Sequence, residues 1–125
     1  MSPRHVPAGV TELQRIGLLA SLPGETLNVL AGRMQREDLL PGAAVVAQGE
    51  PGERFYVVLS GMLNVSQEGR GARRVLRPGD YFGEVALAMD IPRTATVRAM
   101  TPCVVASCDR ATFDELLRPL FADDE

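Results

Sequence analysis

The sequence contains no lysine and no tryptophan, and it has only two cysteines and one histidine among its 125 residues. All 13 basic residues are therefore arginines, against 16 acidic residues, which gives a formal net charge of -3. A slightly acidic chain attracts nucleic acid poorly, so we expect no nucleic-acid partner. No apolar run approaches the roughly 18 residues typical of a membrane span, and no basic stretch precedes an apolar one as in a secretory signal. We therefore expect no direct membrane insertion.

The scarcity of cysteine and histidine limits the chemistry that the chain can perform. Cys103 and Cys108 lie in one apolar run, where an extended strand would point them to opposite faces. We expect two buried thiols rather than a disulfide, which suits the cytoplasm or the cytoplasmic face of a membrane protein. His5 lies in a proline-punctuated stretch, residues 1–9, that we expect to be mobile. With one histidine and no cysteine cluster, we expect that the protein binds no metal and no cofactor and has no histidine-based catalysis. We therefore expect that it is not an enzyme.

Glycine and proline, in contrast, are abundant, with 12 and 9 residues. Apolar residues at helical spacing predict a helical lead-in over residues 10–36. Between residues 37 and 108, turn signals recur at near-constant intervals, which is typical of short antiparallel strands. An apolar stripe after Asp109, a good N-cap, predicts a C-terminal helix over residues 109–120. We therefore expect a single domain over residues 10–125, mainly β, with helices at both ends. Strands are expected at residues 44–47, 55–60, 63–67, 73–77, 94–100 and 103–107.

One segment, residues 79–97, breaks the rhythm of strands. Gly83 ends an aromatic pair and lets the backbone approach another group closely. Residues 84–89 favour a helix, but Pro92 follows soon after, so only one or two turns can form. The free N–H groups at the start of such a helix attract anions. The planar fork of Arg93, just after the helix, fits a pair of phosphate oxygens better than lysine would.

Other residues of this segment indicate what accompanies the anion. Glu84 is unexpected beside a phosphate, but its carboxylate can accept a hydrogen bond from a neighbouring sugar hydroxyl. Thr94 adds a hydroxyl next to the arginine, and the small Ala86 and Ala95 leave room for a ligand. Together these residues indicate a compact nucleotide monophosphate.

Two sequence blocks carry a resemblance to a known family. They read Phe82-Gly83-Glu84-x-Ala86-Leu87 and Pro92-Arg93-Thr94-Ala95-Thr96-Val97. Both resemble the phosphate-binding cassette of the cyclic nucleotide-binding domain, the family of the bacterial catabolite activator protein and the regulatory subunit of cAMP-dependent protein kinase. The resemblance implies an eight-stranded antiparallel jelly-roll barrel with flanking N- and C-terminal helices and a short helix in the cassette.

The resemblance also implies a role for each residue of the cassette. Glu84 would accept the ribose 2′-hydroxyl, and Arg93 would pair with the cyclic phosphate. Backbone N–H groups near Gly83, Ala86 and Leu87 would complete the cradle.

The base side of the site is less closely specified. Thr94 would contact the phosphate or the purine, and Leu76 and Arg74 on one strand would line the base pocket. Thr94 also resembles the residue that cGMP-selective members place beside the arginine, where its hydroxyl can meet the guanine amino group. Both cAMP and cGMP therefore remain candidates, with cAMP preferred.

Taken together, these features predict a regulatory sensor whose effector lies outside this chain, in a channel, transporter, kinase or esterase. Ligand binding would order residues 83–93 and reposition the helices at 10–36 and 109–120. The long lid helix of many family members is not expected, because Pro119 interrupts it, so another chain, further residues or solvent would cap the base. The alternative is a docking or structural module that keeps the fold without the ligand.

Overall fold

A computed structural model describes residues 9–121 of the chain. Of the stretch expected to be mobile, only Gly9 lies within the described residues. Three short helices come first: α1 (Val10–Gln14), α2 (Gly17–Ala20) and α3 (Gly24–Arg33). The strands are β1 (Gln35–Leu39), β2 (Ala44–Val46), β3 (Arg54–Ser60), β4 (Leu63–Gln67), β5 (Gly71–Leu76), β6 (Tyr81–Phe82), β7 (Thr96–Ala99) and β8 (Cys103–Asp109). Helix α4 (Glu84–Met89) lies between β6 and β7.

The chain continues after β8 into a helical stretch with three hydrogen-bonding patterns. It consists of α5 (Arg110–Thr112), a π-helical turn (Phe113–Leu117) and a 3-10 turn (Arg118–Phe121). We call these residues together the C-terminal helical segment. The regular helix expected over residues 109–120 is thus irregular. Pro119, which has no backbone N–H to donate, lies in its 3-10 turn.

The strands form two antiparallel four-stranded sheets, in the orders β1-β8-β3-β6 and β2-β7-β4-β5. The expected mainly antiparallel β architecture with helices is therefore confirmed. The described strands do not close into one barrel, because β1 and β6 remain edges of the first sheet and β2 and β5 remain edges of the second. Each sheet keeps its own hydrogen-bonded ladder, and the two are joined through apolar packing.

Strand β3 is buried on both faces and separates two apolar cores. Phe55 and Val57 face a core shared with the helices, whereas Tyr56 and Val58 face the core between the two sheets. This alternation follows from the period of two along a strand. The cysteines obey the same rule, since Cys103 lies in the core between the sheets and Cys108 in the helical core. Both thiols are free, and burial raises the pKa of Cys108 to about 12.

The helical lead-in ends earlier than residue 36. Helix α3 stops at Arg33, and Met34 is already extended, with φ -89° and ψ 142°. Gln35 begins β1 and pairs with Ser107 of β8. Met34 is fully buried in the helical core, so its apolar side chain continues the helical stripe even though its backbone does not. No helix within residues 9–121 is long and apolar enough to cross a bilayer.

The predicted N-cap at Asp109 is confirmed, because an oxygen of its carboxylate accepts a hydrogen bond from the Thr112 backbone N–H at 2.9 Å. This bond, together with the Thr112 hydroxyl, lowers the pKa of Asp109. A carboxyl whose pKa is lower in the folded state stabilises the fold above its unfolded pKa, and the contribution is lost as the pH falls through the folded pKa.

We therefore expect Asp109→Ala to lower the free energy of unfolding at pH 7 by about 1 kcal/mol, since the cap is lost. The difference from the unsubstituted protein should start to shrink as the pH falls below about 4, the usual pKa of an unfolded aspartate, and should disappear as the pH falls through the lower folded pKa. Urea unfolding at pH 7 and pH 3 measures both effects. Asp109→Asn, which keeps a capping oxygen without the charge, is the matched control. A destabilisation by Asp109→Ala that stays the same at both pH values would contradict this account.

Candidate functional site

Helix α4 is introduced by a backbone turn that only glycine adopts easily. Gly83 has φ 96°, in the left-handed region, and ends β6. A Cβ atom at Gly83 would lie 2.8 Å from the Arg54 carbonyl oxygen and 2.9 Å from Arg93 Nη1. At the other end of α4, Asp90 has φ 56°. It is the one non-glycine residue with positive φ in the part of the chain that the structure describes. The helix is therefore bounded by two left-handed residues.

Arg93 is only 7% exposed, although it carries a permanent charge. Its Nη2 donates to the Arg54 carbonyl at 2.8 Å, and its Nη1 donates to the Gly83 carbonyl at 3.2 Å. Its guanidinium also lies over the Tyr56 ring, 5.9 Å from the centroid. Burial lowers the pKa of Arg93, while nearby Tyr56 and carboxylates act in the opposite direction. Among residues 9–121, no carboxylate forms an ion pair with this guanidinium.

The backbone of Arg93 is anchored as firmly as its side chain. Its N–H donates to the Glu50 carbonyl at 2.8 Å, and its carbonyl accepts from the Gly49 N–H at 2.9 Å. The turn that carries Gly49 and Glu50 also brings Gly52 against α4, where a Cβ would lie 2.3 Å from the Ala86 Cβ. The β2–β3 connection therefore sets the distance between α4 and the arginine.

A cleft opens beside Arg93, and most of the predicted site residues line it. Two of the predicted residues do not: the Leu76 side chain is fully buried between the sheets, and the Leu87 side chain is fully buried in the helical core. For Leu87 the predicted contact involved only the backbone, which lies in α4. The predicted residues in the lining are Gly83, Glu84, Ala86, Arg93, Thr94 and Arg74.

Several lining residues were not expected from the sequence. Val46, Val65 and Val97 form an apolar wall contributed by β2, β4 and β7. Val97 lies in the second cassette block, but Val46 and Val65 come from strands that are distant from it in sequence, so no local motif indicates them. Below Arg93, Tyr56 stacks on Phe82 with ring centroids 4.8 Å apart and an interplanar angle of 2°. The cleft thus combines a desolvated cation, a carboxylate, a hydroxyl and an apolar wall.

Comparison with known proteins agrees with this arrangement. The family model of the cyclic nucleotide-binding domain matches residues 36–119. The chain is 41% identical over 107 residues to the cAMP-dependent protein kinase regulatory subunit of Debaryomyces hansenii, covering 86% of this chain and 24% of that protein. It is also 41% identical over 109 residues to the regulatory subunit of Yarrowia lipolytica, covering 86% and 29%. The chain therefore spans about a quarter of the length of these relatives.

Solved structures show the same likeness. The regulatory domain of Toxoplasma gondii PKA in a co-crystal with cAMP has a TM-score of 0.84 at 30% identity, over 89% of this chain and 44% of that one. A triple mutant of the regulatory subunit of a cAMP-independent protein kinase A from Trypanosoma brucei, bound to cAMP, has a TM-score of 0.83 at 26% identity, over 90% and 43%. One of its three substitutions replaces a threonine with an arginine. The chain belongs to the cyclic nucleotide-binding domain family.

The close approach at Gly83 gives a testable difference between two glycines. Gly83 and Gly79 have nearly equal φ values of 96° and 98°, but a Cβ at Gly79 would meet nothing within 4 Å. In both alanine variants, the left-handed conformation of the alanine should lower the free energy of unfolding by about 1–2 kcal/mol. Gly83→Ala should lower the free energy of unfolding further than Gly79→Ala, because its Cβ also displaces the Arg54 carbonyl and Arg93. Chemical unfolding of both variants measures the difference, and equal destabilisation would contradict the packing described for Gly83.

Proposed function

We propose that the domain is a regulatory sensor that binds a cyclic nucleotide monophosphate, with cAMP preferred, and relays binding through its flanking helices. The observation that carries this proposal is the buried guanidinium of Arg93, which borders a cleft and has two neutral carbonyls but no carboxylate partner among the described residues. A desolvated charge is costly unless an opposite charge compensates it. The anionic phosphate of the ligand supplies that charge.

The phosphate contact uses donors that Arg93 still has available. A guanidinium carries five N–H donors, and the hydrogen bonds to Arg54 and Gly83 use only two of them. Backbone N–H groups near Gly83, Ala86 and Leu87 complete the cradle by resemblance to the family. The two carbonyls therefore orient the guanidinium, and its remaining donors face the phosphate.

The nucleoside part of the ligand lies along the remaining cleft walls. Glu84, half-buried in the first turn of α4, accepts a hydrogen bond from the ribose 2′-hydroxyl. Thr94 and Arg74 are exposed at the cleft and border the base. Leu76 contributes only indirectly, because its buried side chain supports β5 from below. The valine wall packs against the flat face of the purine.

The choice of cAMP over cGMP is supported by the relatives, which are named as cAMP-dependent kinase subunits or were crystallised with cAMP. Thr94 keeps cGMP as a second candidate, because its hydroxyl can accept a hydrogen bond from the guanine amino group.

The partner that this proposal favours is a protein kinase, because the relatives are kinase regulatory subunits. A channel, transporter or esterase has no such support.

We also assign the domain to the cytoplasm, where its two free, buried cysteines stay reduced. From the strand orders of the two sheets we infer a two-sheet jelly roll, in which each sheet forms one face. The ligand-independent docking module remains the alternative, and the following experiment separates the two.

Arg93→Ala should weaken cAMP binding at least about tenfold, because a charge-assisted contact with the phosphate is lost. Isothermal titration calorimetry with cAMP and cGMP measures the affinity. Arg98→Ala removes an exposed arginine of β7 that donates to the Gly42 carbonyl and does not line the cleft, and it is the matched control. Since Arg93 also joins two backbone carbonyls, Glu84→Gln provides a second variant that leaves those bonds intact. Binding by neither nucleotide to the unsubstituted protein would favour the docking module.

Thr94→Ala should lower the affinity for cGMP about two- to tenfold, the cost of one neutral hydrogen bond. Its effect on cAMP should be smaller, because adenine has no amino group at that position. Paired titrations of both nucleotides measure the two ratios, and Thr26→Ala on α3, outside the cleft, is the control. An equal loss of affinity for both nucleotides would contradict the assigned contact between Thr94 and the base.

A further inference from the structure

The carboxyl end of α4 is held by a residue that belongs to no cassette motif. Arg118, in the C-terminal helical segment, donates from Nη1 to the Ala88 carbonyl and from Nη2 to the Leu87 carbonyl, both at 3.2 Å. The last carbonyls of a helix have no partner within the helix, and a cation near them is favourable. Arg118 thus caps α4 from a position some thirty residues further along the chain.

The Arg118 side chain is itself oriented by its neighbours. Asp114, one turn earlier, accepts from Nε at 3.0 Å and from Nη2 at 2.6 Å. The guanidinium also lies over the ring of Phe113, 5.7 Å from the centroid, and Phe113 is fully buried in the helical core. A fork held on two sides by a carboxylate and a ring presents its remaining donors in one direction. That direction is toward α4.

Arg110, at the start of the same segment, reinforces this contact. Its Nη1 donates to the Leu87 carbonyl at 3.3 Å and its Nη2 to the Gly52 carbonyl at 3.0 Å. Its Nη2 also lies 3.4 Å from a carboxylate oxygen of Asp90, the left-handed residue that ends α4. The Leu87 carbonyl therefore accepts from two arginines of the C-terminal helical segment.

Helix α4 has only six residues, too few for a helix to be stable on its own. Its position thus depends on contacts at both ends: Gly83 and Arg93 at the amino end, and the two arginines at the carboxyl end. The C-terminal helical segment has mixed α, π and 3-10 hydrogen bonding, so it too relies on contacts outside itself. Each element therefore stabilises the other.

We propose that Arg118, supported by Arg110, is a positioning residue for the nucleotide site and couples the cassette to the C-terminal helical segment. This inference rests on the proposed nucleotide binding. Coupling between two elements is reciprocal: if the clamp helps to place α4 for the ligand, the ligand must in turn stabilise the C-terminal helical segment. Arg118 touches no ligand in this account and acts only through the Leu87 and Ala88 carbonyls.

The test compares Arg118→Gln with Arg33→Gln. Arg33 also forms an ion pair with the C-terminal helical segment, through Glu115 at 2.8 Å, but it does not contact α4. Calorimetry with cAMP should show an affinity reduced about five- to tenfold in Arg118→Gln and unchanged in Arg33→Gln. Arg118→Lys, which keeps the charge but loses the planar fork, should fall between Arg118→Gln and the unsubstituted protein.

Hydrogen exchange supplies a readout that general destabilisation does not mimic. In the unsubstituted protein and in Arg33→Gln, cAMP should slow amide exchange in residues 113–121, and in Arg118→Gln this protection should be lost. If Arg118→Gln does not fold, Asp114→Asn, which releases the guanidinium without removing it, replaces it. Equal affinity and equal protection in Arg118→Gln and Arg33→Gln would overturn the proposal.

Failure of the proposed function gives a different result. In that case the unsubstituted protein itself binds neither cAMP nor cGMP. The clamp is then tested without ligand, by amide exchange in residues 84–90. Faster exchange of these amides in Arg118→Gln than in Arg33→Gln supports the positioning role, and equal exchange overturns it.

Discussion

The buried guanidinium of Arg93 is the constraint on which the site depends. Taking a permanent charge out of water requires several partners with fixed positions, and here two are backbone carbonyls, of Arg54 and Gly83. Gly83 can turn its carbonyl toward the arginine only because it adopts a left-handed conformation that leaves no room for a Cβ. The arginine, the start of α4 and the start of β3 are therefore positioned together.

Strand β3 connects this constraint to the rest of the fold. It starts at the carbonyl that Arg93 uses, and its side chains then alternate between the core of the helices and the core between the sheets. A strand buried on both faces moves little, so it gives the site a rigid floor. Helix α4 is held differently, because it is short and its two ends are contacted by different parts of the chain. In the proposed coupling, an anion that engages Arg93 acts on one end, and the arginines of the C-terminal helical segment contact the other.

How far the sequence predicts this structure depends on the distance over which each feature is determined. Gly83, Glu84 and Arg93 lie within eleven residues, and the spacing of a local motif indicates them. The cap at Asp109 is equally local. The apolar pattern predicts a helix that runs past Arg33, where α3 ends. Met34 continues the apolar pattern because its side chain is buried, although its backbone is already extended. Contacts such as that of Arg118 with α4 join residues 30 and 31 positions apart, which no sequence period reveals. Val46 and Val65 of the valine wall lie on strands far from the cassette in sequence, and no motif indicates them for the same reason.

The central claim is that an anion satisfies the buried arginine, and a comparison of ligands with and without the phosphate tests it most directly. Calorimetric titration of the unsubstituted protein with cAMP and with adenosine keeps the base and the ribose and removes the cyclic phosphate. The account predicts that cAMP binds at least about tenfold more tightly, and that this advantage shrinks with added salt. Equal affinities for cAMP and adenosine would contradict it.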